Sequence, residues 1–124
     1  LTDKKELKCY FEIWWTGFPK REFLDVKDLA EACCFLMENY NESELVNIGC
    51  GEDISIKDLA LTIQKIVGYE GELTVDSSKP DGTPRKLLDM SKLHKLGWKH
   101  KIELEDGINL TYDWFKANYE SIRK

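Results

Sequence analysis

The chain has 124 residues, 42% hydrophobic and 33% charged, with a formal net charge of −5. That length supports one domain with a core, and the negative balance argues against a nonspecific nucleic-acid binder. No apolar run approaches the ~20 residues of a membrane span.

Residues 1–8 are charged, and residues 1–12 are expected to be partly disordered. The opening Leu1 to Glu6 is polar and unlike a signal peptide. A start on Leu1 rather than Met fits a chain that begins partway through a longer protein. Cys9 to Trp15 is aromatic and β-prone and predicts a short strand, broken by Thr16-Gly17-Phe18-Pro19. Arg21 to Val26 reads as an extended lead into a helix. Leu29, Ala32, Cys33, Leu36, Met37 and Tyr40 then recur at helical spacing, with Asp28 placed to cap them.

Glu44 to Ile48 predicts a second strand, running into Gly49-Cys50-Gly51. A second helix follows, with Ser55 as N-cap, Ile56, Leu59, Ala60, Ile63, Ile66 and Val67 as its apolar stripe, and Gly68 as its stop. Glu72 to Asp76 alternates as a half-exposed strand. Lys79-Pro80-Asp81-Gly82-Thr83-Pro84-Arg85-Lys86 holds two of the three prolines and no core-forming residue. It reads as an ordered cationic loop, because each proline lacks an N–H and pushes its predecessor into extended geometry. Leu87-Leu88 is extended, a short helix spans about 89–96 up to Gly97, and a last amphipathic helix spans about 104–122. The fold class is therefore α/β, a few short strands packed with amphipathic helices.

Several constellations invite a chemical reading. Gly49-x-Gly51 between strand and helix has the place of a dinucleotide turn, but residue 54 is Ile where the third glycine belongs, so an ordinary tight turn is the favoured reading. Tyr112-x-x-x-Lys116 has a dehydrogenase pair's spacing without the glycine loop or hydroxyl partner, and reads as packing. His94 and His100 look like surface residues. Cys9, Cys33, Cys34 and Cys50 lack C-x-x-C spacing, so they read as reduced, mostly packed thiols of a cytosolic protein, not zinc ligands. Trp14, Trp15, Lys20, Arg21, Lys79, Arg85 and Lys86 remain. They could stack on a base and hold a phosphate. Equally, Trp14 could pack in the core and Arg21 could pair with Glu22 or Asp25.

The run from Trp14 to Ala30, Val46 to Gly51, the loop from Lys79 to Asp89, Leu96-Gly97-Trp98 and Thr111-Tyr112-x-Trp114-Phe115 together resemble the GDP-L-fucose synthase family. The similarity runs from about residue 13 to the end, and the loop is its most specific part. Trp15 stands where the family has Gly, and Lys27 where it usually has Asp. The resemblance implies the C-terminal, substrate-binding part of an extended short-chain dehydrogenase/reductase, residues 1–124 forming one such domain with the Rossmann core incomplete. It implies an NADP(H)-dependent parent that converts GDP-4-keto-6-deoxy-D-mannose to GDP-L-fucose, with this chain inactive alone and no cofactor expected in it. The substrate-binding residues implied are Trp14, Arg21 and Asp81, with Lys86 and Arg85 toward phosphate or loop order. The implied partners are the GDP-sugar, an N-terminal Rossmann domain and a second copy of the parent, without nucleic acid or membrane.

Overall fold

The computed structural model describes residues 10–14 and 16–122. Its elements are β1 (Tyr10–Trp14), β2 (Lys20–Arg21), α1 (Val26–Asn39), β3 (Ile54–Ser55), α2 (Ile56–Val67), β4 (Glu72–Asp76), β5 (Arg85–Lys86), α3 (Ser91–Leu96) and α4 (Leu104–Ile122). Residues 1–9, Trp15 and 123–124 lie outside the described residues; of the opening stretch expected to be partly disordered, Tyr10 to Glu12 belong to β1.

The strands form two small sheets. β1 pairs in parallel with β4, Tyr10 opposite Glu72 through Trp14 opposite Asp76. β2 lies between β3, antiparallel, and β5, parallel. The Arg85–Lys86 end of the proline loop is thus an edge strand, where Pro84 costs no ladder bond on the outer side. The turn before β2 also closes α2: Lys57 N–H donates to Gly17 O at 3.0 Å and Ile56 N–H to Pro19 O at 3.1 Å. These bonds satisfy first-turn donors that a helix cannot satisfy itself.

Local signals set the helices. Ser55 Oγ accepts from Asp58 N–H at 3.0 Å, and Gly68 and Gly97 end α2 and α3 in the left-handed region. α1 differs from expectation. Its N-cap is Asp25, whose carboxylate accepts from Lys27 N–H at 2.8 Å. Asp28 is instead 2% exposed and faces inward. Its Oδ2 accepts from Lys101 N–H at 3.0 Å and Ile102 N–H at 2.8 Å, which pins the segment ahead of α4 against α1.

The core lies between α1 and α3: Ala32, Met90, Leu93 and Trp98, with Leu24, Phe35, Leu36, Val46 and Ile48 packed against it. Of the expected apolar stripe of α1, only Ala32 and Leu36 are used there. Leu29 and Met37 are exposed, as are Cys33 and Cys34, which corrects the expectation that those thiols are packed. Glu44 to Ile48 is not a strand. No neighbouring strand offers it a ladder among the described residues; Val46 and Ile48 turn into the core, and Asn47 Nδ2 donates to Asp89 O at 3.2 Å. The end of the proline loop, Arg85–Lys86, forms β5 just ahead of Leu87-Leu88.

Two predictions follow from these ties. Asp28→Ala removes the acceptor of two part-buried N–H groups, each worth up to roughly 1–3 kcal/mol. It should therefore lower the urea midpoint strongly, whereas Glu31→Ala, which loses only an exposed pair with Lys101, should cost at most about 1 kcal/mol. The second concerns Lys92 Nζ, which bonds Glu44 Oε2 at 2.8 Å and Tyr40 OH at 2.6 Å. The Lys92 hydrogen bond holds the Glu44 carboxyl below its ordinary 4.5. Stability from this group is thus present above pH 4.5 and lost as pH falls through the lowered value. Melting temperature plotted against pH should show a shallower acid limb in Glu44→Gln, and the difference should shrink in high salt.

Candidate functional site

Three segments meet around β2: the turn Thr16–Pro19, the turn Gly49–Gly51, and the proline loop that ends in β5. The loop begins on an Asx turn. Ser78 N–H donates to Asp76 Oδ1 at 3.0 Å, and bonds from Ser78 hold the Asp76 carboxyl below its ordinary value. Asp81 then clasps the loop to the first turn. Its Oδ1 accepts from Thr16 N–H at 2.9 Å and its Oδ2 from Thr16 Oγ1 at 2.7 Å. Lys20 N–H donates to Pro84 O at 2.8 Å and continues the attachment into the ladder.

The ladder sorts the cations. Lys20 stands opposite Arg85, and Arg21 opposite Lys86. Alternate residues of a strand face opposite sides, so the two pairs divide between the faces. On one face, Asp53 balances the charge: Arg85 Nε donates to its Oδ2, and Lys20 Nζ lies 4.0 Å from Oδ1, with the Asp53 side chain 6% exposed. On the other face, Arg21 Nη1 donates to Lys20 O and Thr83 O, each at 2.7 Å. Those acceptors are neutral. Among the described residues, neither Arg21 nor Lys86 has a carboxylate partner, and the Nε and Nη2 of Arg21 carry no hydrogen bond. Like charges directly opposite one another destabilise a sheet, so this face favours an anion.

Arg21 therefore pairs with neither Glu22 nor Asp25. Trp14 is not packed in the core; it is 57% exposed, its Nε1 donates to Glu12 Oε1 at 3.0 Å, and Lys79 Nζ lies 5.6 Å from its ring centroid. The structure thus gathers Arg21, Asp81, Arg85 and Lys86 around one loop. Trp14 ends β1, ahead of the turn whose Thr16 Asp81 holds. Arg85 spends its charge on Asp53.

Glu22 is the residue that sequence reasoning left aside. Its Oε1 accepts from Gly51 N–H at 2.6 Å and its Oε2 from Leu88 N–H at 2.9 Å. A side chain on Gly49 would put its Cβ 2.3 Å from Oε1, and Gly51 has φ +80°, a conformation that glycine adopts freely. The Gly49-x-Gly51 turn does cradle an anion, but the anion is the chain's own carboxylate. These residues do not fit a dinucleotide pyrophosphate. The only clue in the sequence was two glycines without a third, facing an acidic residue distant along the chain.

His100 also departs from expectation. Its side chain is 8% exposed, its Nδ1 is buried without a hydrogen-bond partner among the described residues, and its Nε2 lies 3.7 Å from Glu103 Oε1. It lines a pocket of about 230 Å3 with Cys50, Glu52 and Asp53, where burial pushes the Cys50 thiol up. No group of three or more metal-ligating side chains is assembled among the described residues, and no helix among them is long and apolar enough to cross a membrane.

Comparison with known proteins shows what this chain is similar to. Residues 3–49 match the NAD dependent epimerase/dehydratase family. GDP-L-fucose synthase 1 of Arabidopsis thaliana is 54% identical over 106 residues, covering 86% of this chain and 33% of the relative. Among solved structures, a GDP-L-fucose synthetase from Naegleria fowleri bound to NADP superposes with TM-score 0.86 at 31% identity, covering 93% of this chain and 37% of that one. A GDP-6-OMe-4-keto-L-xylo-heptose reductase from C. jejuni superposes with TM-score 0.82 at 45% identity, covering 88% and 34%. The chain spans about a third of the length of the curated relatives it matches. Over about a third of their length it is similar to GDP-L-fucose synthases, and its fold matches part of an extended short-chain dehydrogenase/reductase.

Proposed function

We propose that this chain is the GDP-sugar-binding, C-terminal part of an NADP-dependent GDP-L-fucose synthase that converts GDP-4-keto-6-deoxy-D-mannose to GDP-L-fucose. The observation that carries the reading is the uncompensated pair of Arg21 and Lys86, side by side across β2 and β5. A diphosphate supplies the missing negative charge. The free Nε and Nη2 edge of Arg21 suits a two-point grip on phosphate oxygens, and Lys86 adds a point charge. Trp14 offers an apolar face on the approach to the loop. Asp81 holds the loop through Thr16 and has lone pairs left for a substrate hydroxyl or N–H. Arg85, bound to Asp53, orders β5 and contributes no free charge.

The reaction chemistry belongs in this reading to residues outside the chain, because the sequence holds no G-x-x-G-x-x-G loop and its glycine turn is filled by Glu22. The parent takes NADP(H) in a Rossmann part and pairs with a second copy, while the segment alone is inactive. A cytoplasmic site of action fits a sugar nucleotide and a reduced cofactor. A second reading draws on the 45% identity to the C. jejuni heptose reductase: a GDP-linked keto sugar reduced without epimerisation. Product analysis separates the two, since only the fucose-type reaction inverts C3 and C5 before reducing C4.

The test uses the complete polypeptide that contains this segment. A charge-assisted hydrogen bond is worth roughly 1.5–3 kcal/mol, or about tenfold to a hundredfold in binding. Arg21→Ala and Lys86→Ala should each raise KM for the GDP-keto sugar by roughly that factor, with KM for NADPH unchanged, and Arg21→Lys should recover only part of the loss. Asp81→Ala should raise the same KM and loosen the loop. Unchanged KM and turnover in Arg21→Ala and Asp81→Ala would remove these residues from the site.

A further inference from the structure

We infer that Glu22 is a positioning residue for the GDP-sugar, setting the spacing of the Arg21–Lys86 pair; the inference rests on the reading of that pair as the diphosphate site. Glu22 directly follows Arg21, and Leu88 lies two residues beyond Lys86. The bond from Leu88 N–H to Glu22 Oε2, at 2.9 Å, therefore closes the β2–β5 ladder just past the two cations. The other oxygen fastens the same carboxylate to Gly51 N–H at 2.6 Å, tying the ladder to the turn before β3. Without these bonds, the cations hang on a ladder only two residues long.

The need for such a fastening is electrostatic. Arg21 and Lys86 repel each other until an anion arrives. A strand end held only by a short ladder would splay, and ligand binding would have to draw it back. A fixed carboxylate behind the pair, aimed at backbone donors and not at the guanidinium, holds the two charges in place beforehand. Binding then loses less free energy to ordering. Glu22 also fills the glycine turn, the nearest alternative cradle for an anion, so an incoming phosphate is left the Arg21–Lys86 face. Gly49 is part of this device, since any side chain there meets Oε1.

Kinetics of the complete polypeptide test it. Glu22→Gln keeps the side-chain volume but turns one acceptor into a donor facing an N–H. Gly49→Ala keeps the carboxylate but forces it to shift, because the new Cβ would collide with Oε1. Both should raise KM for the GDP-keto sugar by roughly tenfold or more, the scale of a misplacement of about 1 Å, with KM for NADPH unchanged. A merely structural Glu22 would lower the folded fraction and turnover together and leave KM for the GDP-keto sugar alone. That result in folded variants overturns the inference. If Glu22→Gln does not fold, Glu22→Asp carries the test: it keeps the charge but withdraws it by one methylene, and an unchanged KM there overturns the inference equally. Arg21→Ala is the reference. If it raises KM while the Glu22 and Gly49 variants do not, only the positioning role fails. If it too leaves KM unchanged, the diphosphate reading fails with it.

Discussion

One carboxylate joins two segments that flank β2. Glu22 takes one backbone donor from the Gly49–Gly51 turn and one from the segment after β5, and both segments flank a central strand of only two residues. Short ladders contribute few hydrogen bonds, and isolated pairs of strands are marginal in water. A side-chain acceptor that reaches two backbone N–H groups at once supplies what the ladder lacks. Such bonds are stronger than neutral ones because the acceptor is charged.

The same device recurs. Asp25 caps α1, Asp28 gathers Lys101 and Ile102 N–H, and Asp81 takes both donors of Thr16. Asp53 balances Arg85 and Lys20. In a chain of net charge −5, the carboxylates nearest the loop are thus committed to backbone donors or to one face of the ladder. The other face stays positive. Net charge is accordingly a poor guide to the potential at a site, since the sum hides which charges are already neutralised.

The sequence reports what is local. Ser55, Gly68, Gly97 and the bounds of α4 follow from capping chemistry and helical spacing within a few residues, and all are found in the structure. Asp28 misled because its spacing suits a cap equally well; its true donors lie more than seventy positions away. Glu22 was silent for the same reason. The segment Glu44 to Ile48 has strand composition, but a strand exists only where a neighbour offers a ladder, and composition does not name the neighbour. The loop was legible as a loop from its prolines. The division of its cations between a balanced and an unbalanced face was not, because that depends on the register of β2 against β5.

The run from Lys20 to Asp28 shows why a recognisable motif is a weak guide to which of its residues bind. Lys20 joins the balanced face of the ladder, and Arg21 the unbalanced one. Glu22 fastens two turns. Phe23 lines both the His100 pocket and the apolar cleft of about 610 Å3 between α2 and α4, while Leu24 reaches the core. Asp25 caps α1 and lies so close to Gly107 of α4 that a Cβ there would sit 3.1 Å from its Oδ2. Asp28 pins the chain ahead of the same helix. Nearly every residue in the run meets a different part of the molecule, so packing alone accounts for most of the motif. Of these side chains, Arg21 and Lys27 keep charge and donors that the described residues leave unused, and of the two only Arg21 stands opposite a second cation across a ladder. Function is therefore argued at Arg21 from what remains unsatisfied there, and not from the motif that surrounds it.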